Sequence, residues 1–407
     1  MNDGNSNEKD LDLVGGFYDA RNNIKSNIIK WGSLYLLKLF VSPNNSSTTT
    51  SAKIYSQVAG NNSNAENDLT CWKRPEDMNY PRLVSVCDIS TASEFAGEVI
   101  AAISTASLVL KKDEDISEEL VKTAEKLLIL ANRTAKKGKY TTNDECGGQA
   151  RQFYNSTSYK DELVWGGLWL FLQQETKLTL KVASEEGVFD WNNKTTAISI
   201  LLTRIMYFRD LGYPYESLFI SSTNNIDLLM CSYTYDTKYS KTASDPSTDA
   251  ALLQYAATSS FLTKLYSDYL QLLRTPSRRC SDFVFSSGSS KQFSQSQVIT
   301  PLKMCYVVGC GNTYPVQVHH RAASIPWDGK QRDCSDGNQW LNSRRDNPIP
   351  SWEQWLQDQI RMTFFRTKDP WFTEPSIASN AGLVAALVAL HDPPTGSTIG
   401  NLGIDKH

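Results

Sequence analysis

From Asp115 onward the chain places Ile116, Leu120, Ala124, Leu127, Leu128 and Ala131 three and four residues apart, with polar and charged residues between them. That period gathers apolar side chains on one face of an α-helix. Asp115 and Glu118 form a capping-box pattern at its start. The same spacing returns over 95–110, 162–174, 196–208, 252–273 and 380–390. Strict alternation of apolar and polar positions, the mark of a half-buried strand, is scarce. Long polar stretches rich in Asn, Asp, Ser and Thr, 42–68 and 236–249 among them, are read as loops. The fold class is therefore all-α. Helical hairpins with long loops at one rim fit an α/α toroid, and an ordinary helical bundle fits the periodicity equally.

Composition narrows the partners. A chain of 407 residues with 40% hydrophobic content can bury a large core, and no stretch marks a boundary, so residues 1–407 are read as one domain. A formal charge of −3 and no basic stripe give no footprint for nucleic acid. Ten Trp, 18 Tyr and 15 Phe are core material first, but the supply also suits sugar binding, because the C–H face of a pyranose packs on an aromatic ring. The longest apolar runs, such as Ala381 to Leu390, fall short of the roughly 20 residues of a membrane span, and Met1 to Asn5 do not begin a signal peptide. Six Asn-x-Ser/Thr triplets, at Asn44, Asn45, Asn61, Asn132, Asn155 and Asn193, lean toward the secretory pathway. Eight scattered cysteines with no Cys-x-x-Cys give no zinc pattern and leave two options, disulfides or buried thiols; no metal or cofactor is expected.

Two distant stretches carry candidate chemistry. Near the start, an apolar run breaks at Gly15-Gly16 and delivers Tyr18, Asp19 and Asn22 within a few residues. Near the end, Trp371-Phe372-Thr373-Glu374-Pro375 offers a lone acid before a proline. Taken separately, each has an ordinary structural reading as a turn.

Together the two stretches resemble the paired active-site signatures of family 9 glycoside hydrolases, the cellulases. Cys71-Trp72-Lys73-Arg74-Pro75-Glu76-Asp77-Met78 carries the resemblance further, as do Tyr159 to Gly167, Phe189-Asp190-Trp191-Asn192-Asn193-Lys194, Pro301 to Gly309, and His319-His320-Arg321-Ala322-Ala323-Ser324-Ile325-Pro326. Gly212-Tyr213-Pro214-Tyr215-Glu216, Tyr266 to Leu270 and Asn380 to Leu387 are most similar to plant membrane-anchored endoglucanases of the KORRIGAN type. The resemblance implies an (α/α)6 barrel of six helical hairpins, an open cleft for a β-1,4-glucan and hydrolysis with inversion. It also implies a place on the extracellular or cell-wall side of the plasma membrane, with the chain starting inside the catalytic domain. A monomer is expected.

Inverting hydrolysis needs a protonated carboxyl for the leaving oxygen and a carboxylate that takes a proton from water, roughly 6.5–9.5 Å apart. By resemblance, Glu374 is the general acid and Asp19 positions the water. Asn22 stands where the family has its general-base Asp, and an amide can orient a water but cannot accept its proton. His319, His320 and Arg321 resemble the family's substrate-binding triplet. Tyr18, Trp72, Trp165 and Trp191 are candidate sugar contacts, with core packing an equal alternative for the tryptophans. Asp369 stands five residues before Glu374, either to orient the cleft or to cap a turn.

Three departures accompany the match. After Lys25 the chain runs almost directly into Lys30-Trp31-Gly32, so one barrel helix is expected to be missing. Gln297 to Pro301 passes over a family segment. Trp352 to Met362 equals a shifted-frame reading of one codon string for Gly-Ala-Met-Val-Ala-Gly-Pro-Asp-Lys-Asn-Asp, which relatives carry ahead of the catalytic Glu; this stretch is expected to arise from a frameshift.

Overall fold

The computed structural model describes residues 28–41, 52–60, 66–132, 137–148, 150–174, 188–209, 215–235, 252–275, 277–280, 283–286, 288–289, 292–293, 312, 314–348 and 376–391. Helix α1 (Ile28–Lys38) leads into strand β1 (Phe40–Val41), which joins β2 (Lys53–Gly60) and β3 (Arg82–Asp88) in an antiparallel sheet. Then come α2 (Ser93–Val109), α3 (Glu114–Asn132), the short α4 (Asp144–Gly147), α5 (Lys160–Gln174), α6 (Thr195–Arg209), α7 (Glu216–Tyr235) and α8 (Leu252–Leu272). A two-stranded hairpin of β4 (Ser277–Cys280) and β5 (Phe283–Ser286) precedes α9 (Arg321–Ser324), α10 (Cys334–Leu341) and α11 (Ile377–His391).

Consecutive helices pack as antiparallel neighbours would, α2 on α3 and α6 on α7, while α2 also lies on α5 and α8 on α11. One core joins the sheet to α2 and α3 through Ile54, Cys87, Ile100, Ile103, Leu120 and Leu127. Another gathers Ile226, Met230, Tyr233, Tyr266 and Phe285 from α7, α8 and β5. The α2–α5 crossing is close because two glycines meet there: a Cβ on Gly97 would sit 2.4 Å from the Glu162 carbonyl oxygen, and one on Gly166 would sit 2.6 Å from that of Gly97.

The helices expected over 95–110, 116–131, 162–174, 196–208, 252–273 and 380–390 are all present. Three expectations change. The polar stretch 42–68 is not loop throughout, since β2 lies inside it; a register shift between Tyr55 and Gln57 breaks the alternation that would have revealed a strand. The capping box fails because α3 begins at Glu114, so Asp115 lies within the first turn, where its charge still favours the helix N-terminus. Small antiparallel sheets supplement the helices. Helix α7 had no periodic signal strong enough to stand out, because Ser221, Ser222, Thr223, Asn224 and Asn225 are poor helix formers. Burial of Phe219, Ile226, Met230 and Tyr233 overrides that preference. Residues 1–27, where the absent barrel helix was expected, residues 236–249 and residues 352–362 lie outside the described residues.

Candidate functional site

The segment that follows Asn67 and the one that begins at Val318 come together although some 250 positions separate them. Cys71 and Cys334 close a disulfide across a sequence separation of 263. The indole Nε1 of Trp72 donates to Ser324 Oγ at 2.9 Å. Its ring meets that of His319 at a centroid distance of 4.5 Å and has the Arg321 guanidinium 5.5 Å away. Arg321 also donates to the Asp68 carbonyl. His320 is buried, and its Nδ1 accepts from the Ala323 amide at 3.0 Å, capping α9. Trp72 is only 5% exposed, so its indole has no open face for a sugar and serves instead to hold His319 and Arg321.

Beneath this cluster lies a buried ion pair. Arg74 donates from Nε to Asp77 Oδ2 at 2.6 Å and from Nη2 to Oδ1 at 3.0 Å, a two-pronged geometry that fixes the guanidinium plane. The same guanidinium donates to the carbonyls of Pro326 at 2.9 Å and Lys330 at 2.7 Å. Tyr80 donates to Asp68 Oδ1 at 2.6 Å, and burial followed by that bond keeps its phenol protonated well above its usual range. Gly337 of α10 presses against the backbone here, since a Cβ would lie 1.6 Å from the Trp72 carbonyl oxygen.

The other matched tryptophans belong to a second cluster. Trp191 meets Tyr154 edge-on at 5.7 Å, and Trp165 contacts Trp169 at 5.5 Å and Phe189 at 5.7 Å. Both tryptophans are half-buried. The loop bearing Trp191 is shaped by its neighbours: Asp190 Oδ1 accepts from the amides of Asn192 at 2.7 Å and Asn193 at 2.9 Å. Lys194 is the cation that balances the surrounding acids. Its amide donates to Asp161 Oδ2 at 3.0 Å, and its Nζ donates to the Asp190 carbonyl and pairs with Glu98 at 2.6 Å.

Glu162, beside this network, is 1% exposed. Burial, and then the adjacent Asp161 carboxylate, push its pKa up from 4.5 to about 9. The folded chain therefore keeps a proton that the unfolded chain releases above pH 4.5, and stability falls as pH rises from there toward 9. The slope from such a group is at most about 1.4 kcal/mol per pH unit. Glu162→Gln removes that proton linkage, so its advantage in melting temperature over the parent is expected to grow between pH 5 and pH 8. An equal difference at both pH values would show that Glu162 is ionised in the fold. Glu94 acts in the same direction over a narrower window, with burial holding its pKa at about 7 against the Tyr140 amide that it accepts.

Tyr18, Asp19, Asn22, Asp369 and Glu374 lie outside the described residues. The structure thus brings Trp72, His319, His320 and Arg321 into one cluster and puts Trp165 and Trp191 in another. Sequence reasoning missed the supports, Arg74, Asp77, Ser324 and Lys194. Arg74 and Asp77 stand in the quoted motif, but nothing in their spacing reveals that they pair with each other and with a loop 250 residues away. Among the described residues, no three His, Cys, Asp or Glu side chains gather as a metal site would require.

The helical arrangement has counterparts among solved structures. The endoglucanase of the termite Nasutitermes takasagoensis superposes with a TM-score of 0.69 at 25% identity, over 89% of this chain and 78% of that one. Cellulase Cel9M of C. cellulolyticum shares the fold with a TM-score of 0.61 at 20% identity, over 88% and 75% of the respective chains. Residues 26–352 match the profile described as glycosyl hydrolase family 9. Endoglucanase 21 of Arabidopsis thaliana is 36% identical over 97% of this chain and 72% of its own length, and Endoglucanase 10 of Oryza sativa subsp. japonica is 35% identical over the same shares. The chain belongs to glycosyl hydrolase family 9 and has its (α/α)6 barrel fold. The Arabidopsis alignment runs over 468 positions against a chain of 407, so that relative carries segments absent here. The profile match ends at Trp352.

Proposed function

We propose that this chain is an endo-β-1,4-glucanase that cleaves internal bonds of cellulose or a related cell-wall glucan with inversion, Glu374 acting as the acid and Asp19 as the remaining carboxylate for the water. The observation that carries the reading is the union of Trp72, His319 and Arg321, two family-matched segments locked side by side by Cys71–Cys334. Trp165, Trp191 and Tyr18 serve as further sugar contacts, and Asp369 orients the cleft. The disulfides Cys71–Cys334 and Cys87–Cys146 support maturation in an oxidising compartment, and the exposure of Asn132 and Asn155 supports glycosylation there.

A second reading is favoured by one residue. Asn22 at the base position fits a relative that binds glucan without turning it over. Release of reducing ends from carboxymethylcellulose separates the two. The enzyme reading expects measurable release by the parent and a loss of about a hundredfold or more in Glu374→Gln. Parent activity that survives Glu374→Gln would remove Glu374 from the acid role, and an inactive parent that still binds the polymer would establish the second reading.

A further inference from the structure

Beyond the residues already assigned, the loop after Ile325 carries an aromatic ring that nothing in the fold requires. Trp327 is 65% exposed, more than Phe153 at 54% or Trp31 at 45%, the other large aromatics exposed among the described residues. Exposed apolar residues scattered singly are common and need no function. Trp327 differs because its position is built from within. One side of its ring lies 4.8 Å from the Arg74 guanidinium. That guanidinium is itself buried, 3% exposed, and cannot shift, because Asp77 grips it and the carbonyls of Pro326 and Lys330 accept from it. Two hydrogen bonds from this cation, to the carbonyls of Pro326 and Lys330, thus fix both ends of the turn that presents the indole, while two more hold the cation on Asp77.

The turn is also set locally. Gly329 has φ +75°, a conformation costly for any residue with a Cβ, and the Lys330 amide donates to Asp328 Oδ1 at 3.2 Å. Asp328 pairs with Arg332. The result is an outward-facing indole on a fixed turn, followed in the chain by the carboxylate of Asp328. A large ring held in one orientation loses little entropy when it takes up a flat apolar surface. The C–H face of a pyranose is such a surface, and Asp328 beside it can accept from sugar hydroxyls.

We propose that Trp327, held by Arg74, is a stacking platform for one glucose ring of a β-1,4-glucan, continuing the surface that begins at His319 and Arg321. Continuity rests on two links: only Ile325 and Pro326 separate Trp327 from the end of α9, and Arg74 is two residues from Trp72, which holds the histidine and arginine. The inference depends on the glucan reading above and adds a subsite to it.

Affinity electrophoresis in gels containing carboxymethylcellulose tests it, alongside thermal melting of each variant. The parent is expected to be retarded, with Trp327→Ala weakening the apparent affinity about tenfold, the loss of one stacking contact. Trp327→Leu keeps an apolar cover over Arg74 but offers no ring, so it is expected to melt with the parent and migrate like the alanine variant. Trp327→Phe should recover part of the retardation. A Trp327→Leu protein retarded as strongly as the parent would overturn the platform and leave Trp327 as a shield for the ion pair. A parent that the polymer does not retard would sink the glucan reading itself, and the subsite with it.

Discussion

Asn22→Asp is expected to raise the release of reducing ends from carboxymethylcellulose by about a hundredfold to ten-thousandfold, the usual contribution of a general base, wherever Asp19 only positions the water and does not take its proton. An inverting mechanism needs a group that takes the proton from the attacking water as the bond to the anomeric carbon forms. The amide of Asn22 can hold that water through its oxygen, yet it has no site for the proton at ordinary pH. Asp19 is the nearby carboxylate left in the segment, three residues earlier. If it already serves as base, the gain from Asn22→Asp shrinks toward unity and Asp19→Asn abolishes the parent's activity. If Asn22 occupies the base position, the gain appears and vanishes again in Asn22→Asp combined with Glu374→Gln, because acid and base act in one step. The fresh product should have the inverted anomeric configuration by proton NMR. No gain in a variant that folds and binds the polymer as the parent does would remove position 22 from the mechanism.

Gly337→Ala is expected to lower stability by about 3 kcal/mol, the upper part of the range for overpacking, and to abolish retardation by carboxymethylcellulose. The sign is informative, because helix propensity alone predicts the opposite. Alanine is favoured over glycine by about 1 kcal/mol in a helix interior, and Gly337 lies within α10. The tertiary contact decides the outcome: the added Cβ would stand 1.6 Å from the Trp72 carbonyl oxygen and 2.7 Å from its carbonyl carbon. Those are backbone atoms and cannot rotate aside. Nor can α10 slide far, since Cys334 in its first turn is bonded to Cys71, the residue before Trp72. Relief must come from moving Trp72, which carries His319 and Arg321 with it. A melting temperature equal to or above the parent's would show that α10 does not pack on this segment.

Legibility in the sequence tracked the distance over which each feature is decided. Leu120, Ala124, Leu127 and Ala131 announced α3 because their spacing is a local consequence of the helical period. The strand β2 was hidden because its bulge and polar flanks erased the alternation, and only pairing with β3 makes it a strand. Helix α7 was hidden by residues that prefer turns when read alone. At the site, the motif residues themselves were evident, whereas Arg74 as the anchor of the 326–330 loop was not, because its partners are backbone carbonyls, and a carbonyl has no letter in a sequence.

The sequence by itself determined the helical class, the family-matched segments and the amide at position 22, since periodicity, short motifs and side-chain identity are properties of neighbouring residues. Only the tertiary structure decided that Cys71 pairs with Cys334, that Trp72 is a buried support and not an open platform, and that Trp327 faces outward on a fixed cation. These are contacts between segments some 250 residues apart, and burial, pairing and exposure at such separations are set by how the whole chain packs.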